Sequence, residues 1–168
     1  GHAEPQTVAE AMASDEAEEW TSAINEELSA MERNHVFDVV PADSIPPGTS
    51  CVKSMLIFKR KRDAHGNVTK YKARLVARGF SQVKGINYSE TFAPTASVTA
   101  IRHVLATATS RGMAICQMDV STAFLNADID HNIYMAPPPG AHVFPKGCRL
   151  KLRKSIYGLK QSPHLWNN

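Results

Sequence analysis

The chain has 168 residues, enough for one domain with a buried core but too few for two domains of ordinary size. Hydrophobic residues make up 43% of it and charged residues 21%, with no run of about 18 apolar residues. We therefore expect a globular protein, neither collagen-like nor membrane-spanning. The net charge of +3 conceals three blocks, because residues 1–50 sum to −10, residues 53–84 to +9 and residues 85–168 to +4.

The cysteines and the first residues bear on the cellular compartment. Three cysteines lie far apart and form no Cys-x-x-Cys pair, which predicts neither a disulfide framework nor a zinc site. They are Cys51, Cys116 and Cys148. Residues 1–19 are acidic and lack the apolar core of a signal peptide, so a cytoplasmic or nuclear location is expected. Gly1-His2 is predicted to be a tag remnant, within a disordered leader over residues 1–6.

An amphipathic helix is predicted over about residues 14–33, because apolar residues recur there at intervals of three or four. They are Ala17, Trp20, Ile24, Leu28 and Met31. Thr7 with Glu10, and Ser14 with the acids after it, are helix-start patterns. The acidic residues on the opposite face favour a solvated surface, with docking of a partner as the alternative. A short strand over Val36–Val40 follows.

Two extended runs, Cys51–Arg62 and Val68–Arg78, flank a turn-forming stretch over residues 63–67 and predict a β-hairpin. The two-residue period of the second strand places four cations and one valine on a single face. They are Lys70, Lys72, Arg74, Val76 and Arg78. Because like charges on one face repel, this arrangement favours an anionic partner, most simply phosphate. The alternative is an edge strand whose charges prevent aggregation.

A helix is predicted to begin at Thr99 and to end at Gly112, with an apolar stripe that packs in the core. The stripe is Ile101, Val104, Leu105 and Ala108. A short, largely buried strand is predicted over Ala114–Asp119. Asp119 stands where α/β folds keep catalytic groups, although an aspartate there can also cap a helix. Further predicted elements are strands over Asn132–Ala136 and Arg149–Leu152 and a helix that begins at Ser162-Pro163.

Four motifs, in this order, resemble the reverse transcriptase of Ty1/copia-type retrotransposons. They are KYKARLVARGF at 70–80, YSETFAP at 88–94, QMDV with AFL between 117 and 125, and YGLKQSP at 157–163. The resemblance runs from about Trp20 to Trp166, and Ala127 departs from it where many relatives have glycine. It implies an α+β fold, the fingers and first part of the palm of a right-hand polymerase, with an antiparallel hairpin and packed helices.

The resemblance divides the chain into an acidic helix and short strand over residues 7–50, fingers over 51–112 and a partial palm over 113–168. The family's Tyr-x-Asp-Asp motif would follow the last of these segments. The chain stops within the helix that begins at Ser162-Pro163, so we expect it to be part of a longer polypeptide or to be completed by a partner.

Individual roles also follow from the resemblance. Asp119 matches the first metal-binding aspartate, with the Val120 carbonyl as a further ligand, and Phe124 matches the aromatic that excludes a ribose 2′-hydroxyl, with a core phenylalanine as the alternative. Expected nucleotide contacts are Lys72, Arg74, Phe124, Tyr157 and Gly158. Expected nucleic-acid contacts are Lys59, Lys61, Lys70, Arg78 and Lys160, although Lys160 could instead be exposed without a contact.

The implied chemistry is phosphoryl transfer assisted by two Mg²⁺ ions, which need convergent carboxylates. Asp128 and Asp130 do not supply the missing pair, so we expect the chain to be inactive alone. The expected partners are an RNA or DNA template-primer, a deoxynucleoside triphosphate and the rest of the polymerase chain. A non-catalytic nucleic-acid-binding module and a protein-interaction module, which could pair as a homodimer, are the alternatives.

Overall fold

The computed structural model describes residues 3–168, so the tag remnant predicted at Gly1-His2 lies outside the described residues. The described chain mixes helices and sheets, in line with the α+β class. The helices are α1 (Val8–Met12), α2 (Ala17–Arg33), α3 (Val98–Ser110) and α4 (Ser162–Asn167). The strands are β1 (Phe37–Pro41), β2 (Cys51–Val52), β3 (Ser54–Arg62), β4 (Val68–Ala77), β5 (Tyr134–Met135) and β6 (Cys148–Leu152). Within residues 3–168, no helix is both long and apolar enough to cross a bilayer.

The predicted hairpin is confirmed as an antiparallel pair of β3 and β4, with Ser54 opposite Ala77 and Lys61 opposite Lys70. Its alternation holds at the centre of β4, where Ala73 and Leu75 are buried and Arg74 between them is exposed. It fails at Val76, which is buried on the predicted cationic face, and at Thr69, which is exposed on the predicted packing face. Its first strand is shorter than predicted. Residues 51 and 52 form β2, which pairs with β5 in a second sheet rather than with the hairpin.

Helix α2 packs on the hairpin, and its predicted apolar stripe supplies much of the core. Trp20 is fully buried and meets Phe58 and Tyr71 edge to face, at centroid distances of 5.4 and 4.8 Å. The helix begins at Ala17, later than predicted, because the Ser14 hydroxyl donates to the Ala11 carbonyl at 2.7 Å and so closes α1. Edge-to-face aromatic contacts of this kind stabilise beyond the area that they bury.

One arginine of the hairpin points into this core instead of outward. Arg60 is 7% exposed, lies 5.3 Å from the Trp20 ring centre and forms an ion pair with Glu16. Its guanidinium also donates to the Ala3 carbonyl at 3.1 Å, and its backbone amide donates to the Glu4 carboxylate at 3.0 Å. The stretch Lys59–Arg62 therefore does not present all of its cations on one face, and residues 3–6, expected within a leader, contact the hairpin.

The second sheet has the strand order β1-β6-β5-β2 and lies beside the hairpin in the same core. Strand β6 pairs antiparallel with β1 and β5, and β2 adds to β5 in parallel. Its central residues are almost completely buried. They are Val52, Met135, Leu150 and Leu152, and the buried Ile133 and Ile156 lie in the segments next to the strands.

Helix α3 lies where the sequence predicts it, but most of its apolar stripe is not buried as predicted. The Ser97 hydroxyl, not Thr99, caps the helix by accepting the Ala100 amide at 3.1 Å. Most of the predicted core stripe faces outward, with Ile101 49% and Val104 64% exposed, and Ala108 is the member that is buried. The reason is the lack of a neighbour, because no described element packs extensively against α3.

The buried strand predicted over Ala114–Asp119 is also wrong. Residues 113–120 are irregular and exposed throughout, with Met118 87% exposed. An isolated extended segment has no ladder of hydrogen bonds, and no described strand runs beside this one. Helix α4 is confirmed, but Gln161 rather than Ser162 is its cap, because the buried Ser162 hydroxyl donates to the Ile156 carbonyl.

Candidate functional site

An open cleft of about 330 Å³ lies between α2, the outer edge of β4 and the segment around Asp119. It gathers most of the residues to which the sequence assigned a role. They are Lys61, Lys70, Lys72, Arg74, Asp119, Val120 and Tyr157. These residues come from four separate stretches of chain, so the fold brings together residues that are distant in the sequence.

The floor of the cleft is strongly basic. The hairpin register sets Lys59 opposite Lys72 and Lys61 opposite Lys70, so four ammonium groups share one face of two strands. Such cross-strand pairs of like charge destabilise a sheet unless anions oppose them. The face is therefore suited to an anionic ligand.

Two carboxylates of α2 lie against this basic floor. The Lys70 ammonium pairs with Glu26 at 2.9 Å, and the Leu75 amide on the outer edge of β4 donates to Glu27 at 3.0 Å. Two carboxylates of the acidic face thus contact the basic strand of the same chain, whereas Glu18, Glu19 and Glu32 are exposed as expected. The −10 and +9 blocks of the sequence meet here.

Their surroundings shift the two carboxyl groups in opposite directions. The hydrogen bond from Lys70 and its charge lower the pKa of Glu26. Burial raises the pKa of Glu27, and the Leu75 amide with the charges of Arg74 and Lys72 offsets only part of that rise. Glu27 is thus the carboxylate whose charge the fold tolerates less well.

A cation and two aromatic rings form the wall beside Tyr157. The Arg74 guanidinium lies 5.4 Å from the centre of the Tyr157 ring. Tyr157 meets Phe124 at a centroid distance of 4.6 Å and an interplanar angle of 63°. Phe124 is half-buried on the 3₁₀ turn Ala123–Asn126, so it is neither a deep core residue nor fully exposed.

Gly158 fixes the Tyr157 loop to the hairpin. The Ala77 amide donates to the Tyr157 carbonyl at 2.8 Å, and the Gly79 amide donates to the Gly158 carbonyl at 3.1 Å. Gly158 has φ +90°, and a Cβ there would lie 2.0 Å from the Ala77 carbonyl oxygen. The backbones approach so closely that no other residue fits, which gives Gly158 a structural role.

Three predicted nucleic-acid contacts do not line the cleft: Lys59 on β3, Arg78 directly after β4, and Lys160 just before α4. Arg78 is exposed and lies 5.0 Å from the centre of the Phe80 ring. The Lys160 ammonium donates to the Gln82 carbonyl at 3.2 Å and lies 4.9 Å from the Tyr88 ring centre. Lys160 is therefore exposed and also held by protein groups, and its contact with nucleic acid stays a prediction.

A buried amide network beneath the loop that follows β4 was missed by the sequence reasoning. The Gln82 side chain donates to that of Gln161 at 3.0 Å, and Gln161 donates to the Asn87 carbonyl at 2.8 Å. Both glutamines are almost inaccessible to solvent. The only signal was the position of Gln161 inside a motif, which does not distinguish a ligand contact from a structural one.

The metal expectation rests on Asp119 and the Val120 carbonyl, both at the cleft. Within residues 3–168, no group of three or more His, Cys, Asp or Glu residues is placed to hold a metal ion. Asp128 pairs with Lys154 at 2.7 Å, and Asp130 lies 2.9 Å from the His131 ring. Two Mg²⁺ ions need several convergent oxygens, so the described residues do not complete such a site.

A family model described as reverse transcriptase (RNA-dependent DNA polymerase) matches residues 34–168. The chain belongs to this reverse transcriptase family. The family implies a general dependence on divalent metal. Helix α2 precedes the matched segment, although its carboxylates line the cleft.

Curated relatives confirm the Ty1/copia resemblance. The chain is 41% identical to the retrovirus-related Pol polyprotein from transposon RE2 of Arabidopsis thaliana, over 98% of this chain and 11% of the relative. It is 38% identical to that from transposon TNT 1-94 of Nicotiana tabacum, over 97% of this chain and 12% of the relative. The chain thus spans about a ninth of these relatives. No solved structure gives a significant match.

Proposed function

We propose that the chain is the fingers and first part of the palm of an RNA-directed DNA polymerase, and that its cleft receives the deoxynucleoside triphosphate. The observation that carries the proposal is the convergence of Lys72, Arg74, Asp119 and Tyr157 on one basic cleft. Membership of the reverse transcriptase family supports the same assignment.

Each wall of the cleft has a distinct task in this proposal. Lys72 and Arg74 bind the triphosphate, because their cations lie on the exposed face of β4. Phe124 and Tyr157 flank the sugar, where Phe124 excludes a 2′-hydroxyl. The template-primer follows the surrounding cations, which are Lys59, Lys61, Lys70, Arg78 and Lys160.

Asp119 and the Val120 carbonyl would hold Mg²⁺, which supplies charge stabilisation at the attacking and leaving oxygens. Glu26 and Glu27 also line the cleft, but they bind Lys70 and the Leu75 amide. Asp119 is thus the one carboxylate proposed to hold metal, and one carboxylate does not hold two metal ions. We therefore expect the 168-residue chain to be inactive alone. The remaining carboxylates would come from a Tyr-x-Asp-Asp segment of the longer polymerase.

The rest of the polymerase chain is the proposed partner for the exposed apolar surface. This surface consists of α3 and residues 113–120, where Val104 is 64% and Met118 is 87% exposed. The Met113 amide bonds to the Ala108 carbonyl, and the backbone of residues 114–120 could add to a strand from outside the described residues. The matched segment is only 11–12% of each relative, so in a chain of that length other residues would be available to cover the surface.

Binding of nucleic acid tests the basic face directly. The chain is titrated into a fluorescein-labelled template-primer at low salt, and polarisation is followed. We expect sequence-independent binding that weakens steeply as salt rises. The double reversal Lys72→Glu with Arg74→Glu should abolish binding, whereas Lys146→Glu, an exposed charge on a remote loop, should weaken it much less. Binding that survives the double reversal would mean that the face is only a solubilising edge.

Primer extension tests the chemistry. The 168-residue chain should extend no primer in Mg²⁺. A polymerase chain that continues past Asn168 should extend it and should lose that activity in Asp119→Asn. Extension by the 168-residue chain that disappears in its own Asp119→Asn variant would refute the claim of inactivity.

A non-catalytic nucleic-acid-binding or protein-interaction module derived from a copia element is the second candidate. The exposed face of α3 favours it, because that face needs a partner even if no chemistry follows. Sedimentation at decreasing concentration separates the two. A dimer that persists on dilution would favour a second copy as the occupant over the rest of the polymerase chain.

A further inference from the structure

An exposed aromatic ring stands at the end of the hairpin, outside the cleft. Phe80 is 72% exposed, at the centre of the 3₁₀ turn Gly79–Ser81 that follows β4. The Arg78 guanidinium lies 5.0 Å from the centre of its ring. None of the ion pairs among residues 3–168 involves Arg78, so its charge is available to a ligand. The core does not account for this ring.

The backbone beneath the ring is held firmly. The Gly79 amide donates to the Gly158 carbonyl at 3.1 Å, and a Cβ on Gly79 would lie 2.1 Å from that oxygen. The Gln82 amide donates to the Gly79 carbonyl at 3.0 Å, and the Gln82 side chain is anchored in the buried amide network. Phe80 is therefore presented on a rigid turn, so little conformational entropy of the protein is lost when a ligand stacks on it.

The charges around the ring are of one sign. The sequence contains no acidic residue between Asp63 and Glu90. Lys84 and Lys160 add to Arg78 on the same loop and its neighbour, and the Lys160 ammonium lies 4.9 Å from the Tyr88 ring centre. Cations next to exposed aromatic rings are the pattern of proteins that bind single-stranded nucleic acid.

We propose that Phe80 with Arg78 forms a stacking platform for an unpaired base of the template strand. Phe80 provides the π face, and Arg78 provides a cation that stabilises the stacked ring and the adjacent phosphate. The occupant is a single strand, because duplex bases are already stacked and offer no free face. The proposal rests on the proposed polymerase function and gives a role to Phe80, which ends the first motif but had no assigned role.

The proposed platform lies close to the cleft. Arg74 lines the cleft and Arg78 lies four residues further along the same extended chain, about 13 Å away at 3.3 Å per residue. The Tyr157–Gly158 backbone bonds to both Ala77 and Gly79, so one loop holds the cleft wall and the platform together. A template base on Phe80 would thus lie a short distance from the nucleotide site.

The test measures polarisation of two labelled oligothymidylates of equal length, one intact and one with every base removed. For the 168-residue chain, Phe80→Ala should weaken binding of the intact strand by about 5- to 100-fold, as expected for loss of one stacked base. Binding of the abasic strand should not change. Phe80→Trp should restore the affinity and Phe80→Leu should not, because leucine is apolar without a π face.

Phe92→Ala is the matched control, because Phe92 is 74% exposed on the following loop, and its binding should equal that of the unchanged chain. Equal affinity of Phe80→Ala and the unchanged chain for the intact strand would overturn the platform and leave the proposed function standing. If the unchanged chain binds neither strand at low salt, both proposals fail. Circular dichroism confirms folding, which the exposed Phe80 side chain does not govern.

Discussion

Helices α2 and α3 carry the same kind of apolar stripe and end in opposite environments. Trp20 of α2 is fully buried against the hairpin, whereas Val104 of α3 is 64% exposed. Nothing in the two stripes distinguishes them, because both repeat at helical spacing. The contrast teaches that an amphipathic pattern identifies the face to be covered and leaves open which part of the protein covers it.

The largest difference between the two helices should appear on truncation of their apolar residues. Trp20→Ala should lower the free energy of unfolding by about 3–5 kcal/mol, because it removes a fully buried ring and leaves a cavity. Val104→Ala should change it by less than about 0.5 kcal/mol. Urea denaturation followed by circular dichroism measures both. Similar losses for the two variants would mean that α3 is covered in solution.

The second prediction concerns the joint between the hairpin and the Tyr157 loop. Gly158→Ala should destabilise the chain by about 3 kcal/mol, because the new Cβ would meet the Ala77 carbonyl oxygen at 2.0 Å in a left-handed backbone. Gly48→Ala is the control, since Gly48 shares that backbone region with φ +80° but faces open space, and it should cost about 1 kcal/mol. Equal losses would show that the loop adapts.

The third prediction compares one substitution in α3 in the 168-residue chain and in a longer polymerase chain. Leu105→Gln should leave the unfolding free energy of the 168-residue chain within about 0.5 kcal/mol, because Leu105 is 43% exposed. In a polymerase chain that continues past Asn168, the same change should cost about 1–3 kcal/mol, because it would bury a polar group. Thermal unfolding of both chains gives the comparison. The absence of any added cost in the longer chain would refute the proposed covering.

The smallest effect is expected at Glu27, where α2 faces the basic strand. Burial raises the pKa of Glu27 above its unfolded value of 4.5, although Lys72 and Arg74 face it. The unfolded state therefore loses its proton first, and the unfolding free energy falls as pH rises from 4.5 through the raised folded pKa. Glu27→Gln should remove that fall while keeping an acceptor for the Leu75 amide.

Urea denaturation at several pH values between 4 and 8 provides the measurement, with Glu18→Gln on the exposed face of the same helix as control. A pH dependence identical in Glu27→Gln and the unchanged chain would contradict the assignment. Glu27→Gln should also bind an oligonucleotide a few-fold more tightly, because it removes an anion from the cleft.

Elements whose partners lie close in the sequence could be predicted. The hairpin alternation around Arg74, the stripe of α2 and the end of α3 near Gly112 all depend on local periodicity and turn residues. Local signals failed where a distant partner decides the outcome. Cys51–Val52 joined the second sheet, and Ala114–Asp119 formed no strand, because pairing rather than propensity determines both.

The sequence predicted most of the cations and aromatic residues of the candidate site. It did not predict that carboxylates of α2 would face those cations. The motifs indicated Lys72, Arg74, Asp119 and Tyr157 as neighbours, and the cleft contains all four. No sequence signal placed Glu26 and Glu27 opposite these residues. The pattern of acidic residues on a helix face is the same whether that face contacts solvent or a basic strand. The buried hydrogen bond between the Gln82 and Gln161 side chains was not predicted either, because the pattern of polar residues does not show which of them are buried.

The strand order β1-β6-β5-β2 has a kinetic consequence. Phe37 pairs with Leu152, so this sheet closes only after residues 37–152 have all been synthesised. The hairpin and α2, whose contacts are more local, are available to fold much earlier during synthesis. Non-local pairings fold slowly and expose apolar strands in the interval. We therefore expect a nascent intermediate in which the hairpin is formed while β1 is not yet paired with β6.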